Sequence, residues 1–502
     1  MSTKRNGTEY YADIANIASH LAGASKRLHI NSDGQWSTQQ LSAALFYACK
    51  RNDDREQSNK ETIKAPPLKY ANDILLAEMK HYCRYADAAY SIALGRDAMI
   101  DKLGSVSKED IIHIQLGGPT SNNEALSLLA SKSEPVSKDD PSSSKQTKKL
   151  FDSTSSPHQA AKFAVNIPAF FIAIEPFSNT VILSIRGTKE MNDVFIDLSI
   201  EAVPFLEGYG HAGVVRAALA LKYALKDILV SLIQGDDSFV QGKALAFVKD
   251  MQNQTGRSLR NLVIIGHSLG AATAAVLAIM LRRETDTSIF RDANTRCFAF
   301  APPPSTSENF IQESLPYVTS VILGFDVVPR MSAASLDRFL ARLARYDWER
   351  DASMHMENAM TGYVPRAVSA AVGATAAAFA KRYVEARINS EIEEANNNAR
   401  NAAASTTKNT QGKRASGSFN ADMKMVSLDP HLQDPKDVYI LGRIFHIRHQ
   451  CRFGGERLVE CTYQDFREMI PSTWMIYDHS LQTLRPALEI AVAHAEFGTP
   501  SS

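Results

Sequence analysis

What this chain lacks narrows its function first. Its 55 basic and 55 acidic side chains cancel to a formal net charge of zero. The basic surplus that nucleic-acid binding demands is therefore missing, and that class of partner is excluded. No apolar run approaches the ~20 residues that span a bilayer as a helix; the longest, 274–281, is far shorter. Residues 1–7 lead into polar, tyrosine-containing sequence with no apolar core, so a secretory signal peptide is not expected. Cysteine is scarce. The five present (Cys49, Cys83, Cys297, Cys451 and Cys461) are odd in number and form no C-x-x-C pair. That spacing offers neither a disulfide frame nor a zinc site, and it suits reduced thiols in a cytosolic protein. No other cluster of metal ligands stands out, so neither a metal nor a cofactor is expected.

What is present is ordinary globular composition, 44% hydrophobic and 22% charged, which excludes wholesale disorder. The length of 502 residues fits about three domains, or one α/β enzyme with insertions, at ~150 residues per domain. Residues 1–110 read as helical. Ser37 with Gln40 has the capping-box pattern, followed by Leu41, Leu45 and Cys49 on one face. A second helical stretch, 69–94, repeats Leu75, Met79, Tyr82 and Ala86. Within 111–160, the stretch 131–149 is almost entirely Ser, Lys, Asp and Pro. It has nothing to bury, and the whole segment is expected to be a flexible polar loop.

From residue 161 the pattern changes. Runs 169–174 and 180–185 flank a turn-prone spacer and read as an antiparallel hairpin. A helix is expected over 213–232. Short apolar runs at 262–265, 296–300 and 317–323 have the look of strands covered on both faces, and 438–448 and 458–463 add two more. Strands alternating with helices imply an α/β fold with a largely parallel sheet, its first part at 161–330 and its last at 431–502. An insertion, 331–430, divides the two. In it Ser335 is positioned to cap a helix that sets Arg338, Arg342 and Arg345 on one side and Leu336, Leu340 and Leu343 on another. Residues 368–380 are small and apolar, and 396–419 are polar and low in complexity.

The strongest chemical signal is Gly266, His267, Ser268, Leu269 and Gly270, which satisfies G-x-S-x-G between a buried strand and an alanine-rich helix. A serine on such a sharp turn stands above the sheet, and glycines are needed where side chains would meet strand and helix. The Leu269 amide then sits at a helix N-terminus, where a developing oxyanion would be met. A serine hydroxyl needs a base and an orienting carboxylate, which follow it in the chain order Ser, Asp or Glu, His. Asp326 leaves a buried strand immediately, as a loop residue at the sheet's carboxyl edge does, although an aspartate there can equally cap a loop. Among 13 histidines, His479 lies between the last strand and a C-terminal helix, with His431, His446 and His449 as rivals. His267 reads as a packing residue pointing away from the nucleophile.

Together these residues resemble the fungal-type class 3 lipases, and more closely the eukaryotic diacylglycerol lipases. The likeness rests on Ser184 to Thr188 with Asp193 to Leu198, on Gly210 to Gly213, and on the serine elbow. Leu323 to Arg330, and Gly442 to His446 with Asp478 and His479, complete it. The resemblance implies an α/β-hydrolase fold with Ser268 as nucleophile, Asp326 as acid and His479 as base. It also implies an oxyanion hole from Thr188 and the Leu269 amide, with structural roles for Asp193, Asp197 and His211. The expected substrate is a glycerolipid ester, diacylglycerol first, with triacylglycerol or phospholipid as alternatives; an inactive lipase-like scaffold is the contrasting reading. The animal diacylglycerol lipases carry membrane spans that this sequence does not show. A cytoplasmic enzyme meeting a membrane or lipid droplet peripherally is therefore expected. The Arg338, Arg342 and Arg345 face and residues 368–380 are its candidate contacts, and the insertion its candidate gate.

Overall fold

The computed structural model of the chain describes residues 17–19, 38–59, 73–103, 110–115, 118–119, 166–175, 178–188, 202–234, 261–285, 287–361, 437–449 and 456–497. An eight-stranded sheet organises them. Its strands are β1 (Ile111–Gln115), β2 (Phe170–Glu175), β3 (Thr180–Ile185) and β4 (Asn261–His267). They continue as β5 (Arg296–Phe300), β6 (Val318–Leu323), β7 (Arg443–His449) and β8 (Glu456–Cys461). The strands lie side by side in their chain order. Strands β3 to β7 are parallel, and the antiparallel pairs β1–β2, β2–β3 and β7–β8 form the two margins. This is the α/β-hydrolase architecture.

Side-chain alternation explains why the inner strands are largely apolar. On β2, Phe170, Ile172 and Ile174 enter one core while Phe171 and Ala173 enter the other; on β4, Leu262 and Ile264 oppose Val263 and Ile265. Both faces must therefore be covered. The first core is closed by α4 (Ala212–Gln234) and α5 (Leu269–Arg282). The second is closed by α2 (Asp73–Ala88), α3 (Arg96–Leu103) and α8 (Leu481–Phe497). A third apolar cluster joins α1 (Thr38–Asn59), α6 (Ala333–Ala344) and α7 (Trp348–Thr361) to Val327, Val328, Met469 and Met475, with Leu269 packed against it. This cluster takes in residues beside the acid, beside the histidine and next to the serine.

Two features depart from the sequence reading. Ile111–Gln115, inside the stretch read as a loop, forms the edge strand β1, because pairing with β2 satisfies its backbone and buries Ile111. Helix α6 is capped by Ser332, with Ser335 completing a reciprocal capping box three residues on, so Ser335 is inside the helix. On the arginine face of α6, Arg338 pairs with Glu468 and Asp437, and Arg342 donates to Glu468 and to the Met469 carbonyl. Two of its three arginines are thus ion-paired at the surface, with the Arg342 side chain 49% exposed. Residues 131–149, 368–380 and 396–419, together with Asp193, Asp197 and His431, lie outside the described residues.

Candidate active site

The site grows from the carboxyl ends of neighbouring parallel strands. Strand β4 runs into Ser268, whose φ of 58° and ψ of −134° put a non-glycine residue in a region that L-residues avoid. Such a conformation costs about 1–3 kcal/mol and persists only where the surroundings enforce it. Here they do. The Ser268 amide donates to the Phe300 carbonyl at 2.9 Å, and its own carbonyl accepts from Ala271 at 2.9 Å as α5 begins. The flanking glycines leave no room for side chains. A Cβ at Gly266 would lie 2.3 Å from the Gly270 carbonyl oxygen, and one at Gly270 would lie 2.5 Å from that of Ile185.

Two strands away, β6 ends at Leu323, and Gly324, with φ of 45°, turns the chain toward Asp326. Asp326 is fully buried, and its Oδ1 accepts the Val328 amide at 3.0 Å. His479 closes a short 3₁₀ turn, Tyr477–His479, just ahead of α8. Its Nε2 lies 2.9 Å from Ser268 Oγ, and its Nδ1 lies 3.1 and 3.0 Å from the two oxygens of Asp326. Among the described residues, His479 is the candidate histidine that stands beside the serine. His446 is on β7, buried against Phe466 with Nε2 donating to the Gly324 carbonyl at 2.8 Å, and His449 ends the same strand.

Two further bonds hold the acid and histidine loops together, and sequence reasoning missed both. The Phe325 amide donates to the Asp478 carboxylate at 2.7 Å, and the Val327 amide donates to the Met475 carbonyl at 3.0 Å. The only sequence signal for Asp478 is its adjacency to His479. On the other side, Gly187 packs its backbone on the elbow: a Cβ there would meet the His267 carbonyl at 2.4 Å and the Ser268 Cβ at 2.9 Å. Thr188 follows directly and Leu269 opens α5, so both expected oxyanion segments adjoin the serine. His211 is buried, and its Nδ1 accepts the Val214 amide at 3.3 Å, capping the start of α4. Ser268, Asp326 and His479 are 1%, 0% and 4% exposed, so the arrangement is shut off from solvent in this conformation.

Chemically, a dry hydroxyl, imidazole and carboxylate in series can move the serine proton to nitrogen while the carboxylate steadies the ring. Two other histidines near the site are held neutral by burial. The His267 ring lies well below the usual imidazole range, and His446 is pushed down to about 3 by burial and the nearby Arg330 charge. Both folded-state values lie below the ordinary 6.5. The unfolded chain therefore takes up protons that the folded chain refuses, and stability is lost as pH falls from 6.5 toward 3. The urea midpoint is expected to drop between pH 7 and pH 4.5. His446→Gln, which keeps a donor for Gly324, should drop less; equal drops would contradict this account.

Comparisons with known proteins find similarity over the stretch that carries the elbow. The sequence profile of the family Lipase (class 3) matches residues 182–336, from β3 through the elbow to the start of α6. Over this stretch the chain is similar to the class 3 lipases. Human diacylglycerol lipase-alpha is 34% identical over 190 residues, which cover 36% of this chain and 16% of that protein. Mouse diacylglycerol lipase-beta is 29% identical over 183 residues, covering 35% and 24% respectively. The chain thus spans well under a third of the length of these curated relatives. Among solved structures, a lipase from Rhizopus microsporus var. chinensis aligns at a TM-score of 0.31 and 15% identity, covering 54% of this chain and 75% of that one.

Proposed function

We propose that this protein is a serine lipase that hydrolyses acyl esters of glycerolipids, with diacylglycerol as the foremost substrate. The observation that carries the reading is the Ser268–His479–Asp326 series, with 2.9 Å from hydroxyl to imidazole. The class 3 lipase match and the diacylglycerol lipase relatives supply the substrate class. His479 takes the Ser268 proton as the oxygen attacks the ester carbonyl. Asp326 holds the imidazole, and the Thr188 and Leu269 amides receive the oxyanion. Collapse of the tetrahedral adduct expels the alcohol, which takes its proton from His479. Water then releases the fatty acid from the acyl-serine by the same route in reverse.

No helix among the described residues is long and apolar enough to cross a membrane. A substrate that resides in lipid must then be met at its surface, so the enzyme works as a peripheral visitor to a membrane or droplet. The buried triad requires an opening of the layer over it before a lipid can enter.

A fluorophosphonate probe is expected to label Ser268 stoichiometrically, with the labelled peptide identified by mass spectrometry. Purified protein given mixed diacylglycerol, triacylglycerol and phospholipid particles is expected to release fatty acid chiefly from diacylglycerol. Release chiefly from either other lipid would reassign the substrate while keeping the chemistry. No labelling and no release would leave an inactive scaffold.

A further inference from the structure

The residue before the proposed nucleophile does more than pack. His267 is 5% exposed, and its Nε2 lies 2.8 Å from the backbone carbonyl of His479. A carbonyl only accepts, so Nε2 must carry the ring proton. Its other nitrogen, Nδ1, lies 2.8 Å from the hydroxyl of Tyr90. In the neutral ring that nitrogen is a bare acceptor, so the tyrosine donates to it. The Tyr90 hydroxyl also packs on the backbone of Gly187, where an added Cβ would lie 2.9 Å from it. Two hydrogen bonds therefore run in one direction, Tyr90 O–H to His267 Nδ1 and His267 Nε2–H to the His479 carbonyl, starting from a hydroxyl packed on Gly187.

The two ends of this series matter. Gly187 immediately precedes Thr188, the expected oxyanion donor, and His479 is the expected base. These groups sit on segments far apart in sequence, Tyr90 on the 3₁₀ turn Ala89–Leu94 and His267 at the end of β4. The His267 and His479 rings also face each other, with centroids 4.8 Å apart and planes 36° apart. Movement of either end changes the separation between oxyanion donor and imidazole, the one distance that the tetrahedral adduct needs held.

We propose that Tyr90 and His267 are positioning residues, which tie the oxyanion segment at Gly187 to the backbone of His479 through a single neutral imidazole. The proposal rests on the serine-lipase reading above. The ring must stay neutral to play this part, because a proton on Nδ1 would oppose the tyrosine donor. A second charge would also stand beside the imidazolium that forms on His479 during turnover. Burial and the neighbouring His479 hold it in that state.

The test is a double-mutant cycle on a soluble short-chain ester, with active sites counted by fluorophosphonate titration. Tyr90→Phe is expected to lower kcat about 10-fold with KM unchanged, and His267→Leu about 100-fold, the scale of a misplaced catalytic group. His267→Gln keeps an amide donor for the His479 carbonyl and an amide oxygen that can accept from Tyr90, and should lose less than His267→Leu. The double variant Tyr90→Phe/His267→Leu should be no slower than His267→Leu alone, since the tyrosine acts through the histidine. Affinity for a boronic acid, which forms a tetrahedral adduct on the serine, should fall in step with kcat. Additive effects, or a Tyr90→Phe protein with unchanged kcat and boronate affinity, would overturn the proposal. Should either variant fail to fold, or the wild type fail to turn over esters, the ¹⁵N shifts of the His267 ring decide it. A neutral ring protonated at Nε2 down to pH 5 is expected, and a ring protonated at Nδ1 would overturn the linkage. Absent wild-type turnover, by contrast, would count against the lipase reading.

Discussion

Replacing Ser268 by alanine is expected to lower ester hydrolysis by about 10⁴- to 10⁶-fold while leaving the fold intact. The side chain is only 1% exposed, and its hydroxyl lies 2.9 Å from His479 Nε2. Its removal deletes the proposed nucleophile and little else. His479→Ala should cost about as much, and the double variant should be no worse than either single one, because groups that act as a unit are strongly non-additive. Asp326→Asn is expected to lose roughly 10⁴-fold in kcat, since an amide beside Nδ1 favours the wrong imidazole tautomer. Single-turnover assays on a soluble ester, with circular dichroism as a check on folding, measure all four. Substantial activity in the Ser268→Ala protein would sink the mechanism outright.

The second large effect concerns the turn itself. Gly266→Ala is expected to destabilise the protein by about 3 kcal/mol or more, the upper end for overpacking a filled interior. The reason is the identity of the colliding atoms. The new Cβ would lie 2.3 Å from the Gly270 carbonyl oxygen, 2.4 Å from its carbon and 2.6 Å from the Ala271 nitrogen. All are backbone, so no side chain can swing aside; the first turn of α5 must move. That movement carries Ser268 and Leu269 with it, so fluorophosphonate labelling should slow sharply in whatever protein remains folded. An unchanged thermal midpoint together with an unchanged labelling rate would show that the elbow has slack the packing denies.

Much of this site was readable before any coordinates, and the legible parts share a property. The elbow and the Asp326 loop are each encoded within about ten consecutive residues, as a buried strand followed at once by the functional side chain. The fold class is legible for the same reason, since apolar runs of strand length alternating with helical periodicity are local signals. What was missed has the opposite character. The acidic partners of the α6 arginines, Glu468 and Asp437, lie about 100 or more residues away and had no local signal. The run at 111–115 reads as part of a loop until β2 offers it an edge.

The amino-acid order alone therefore determined the strained serine turn, the acid at a strand end and the sheet-with-helices class, because each depends on backbone sterics and side-chain periodicity over one or two turns of chain. Only tertiary structure decided which histidine stands beside the serine. His446 and His479 both follow the acid in the chain, and what separates them is that β7 buries one against Gly324 and Phe466 while the turn before α8 delivers the other to Ser268. Tertiary structure also revealed Asp478 as the clamp on the acid loop, and His267 with Tyr90 as the tie across the site. The physical cause is the same in each case. A hydrogen bond extends about 3 Å, and which residues come within it across 150 to 210 positions of sequence is settled by strand register and helix packing, not by neighbours in the chain.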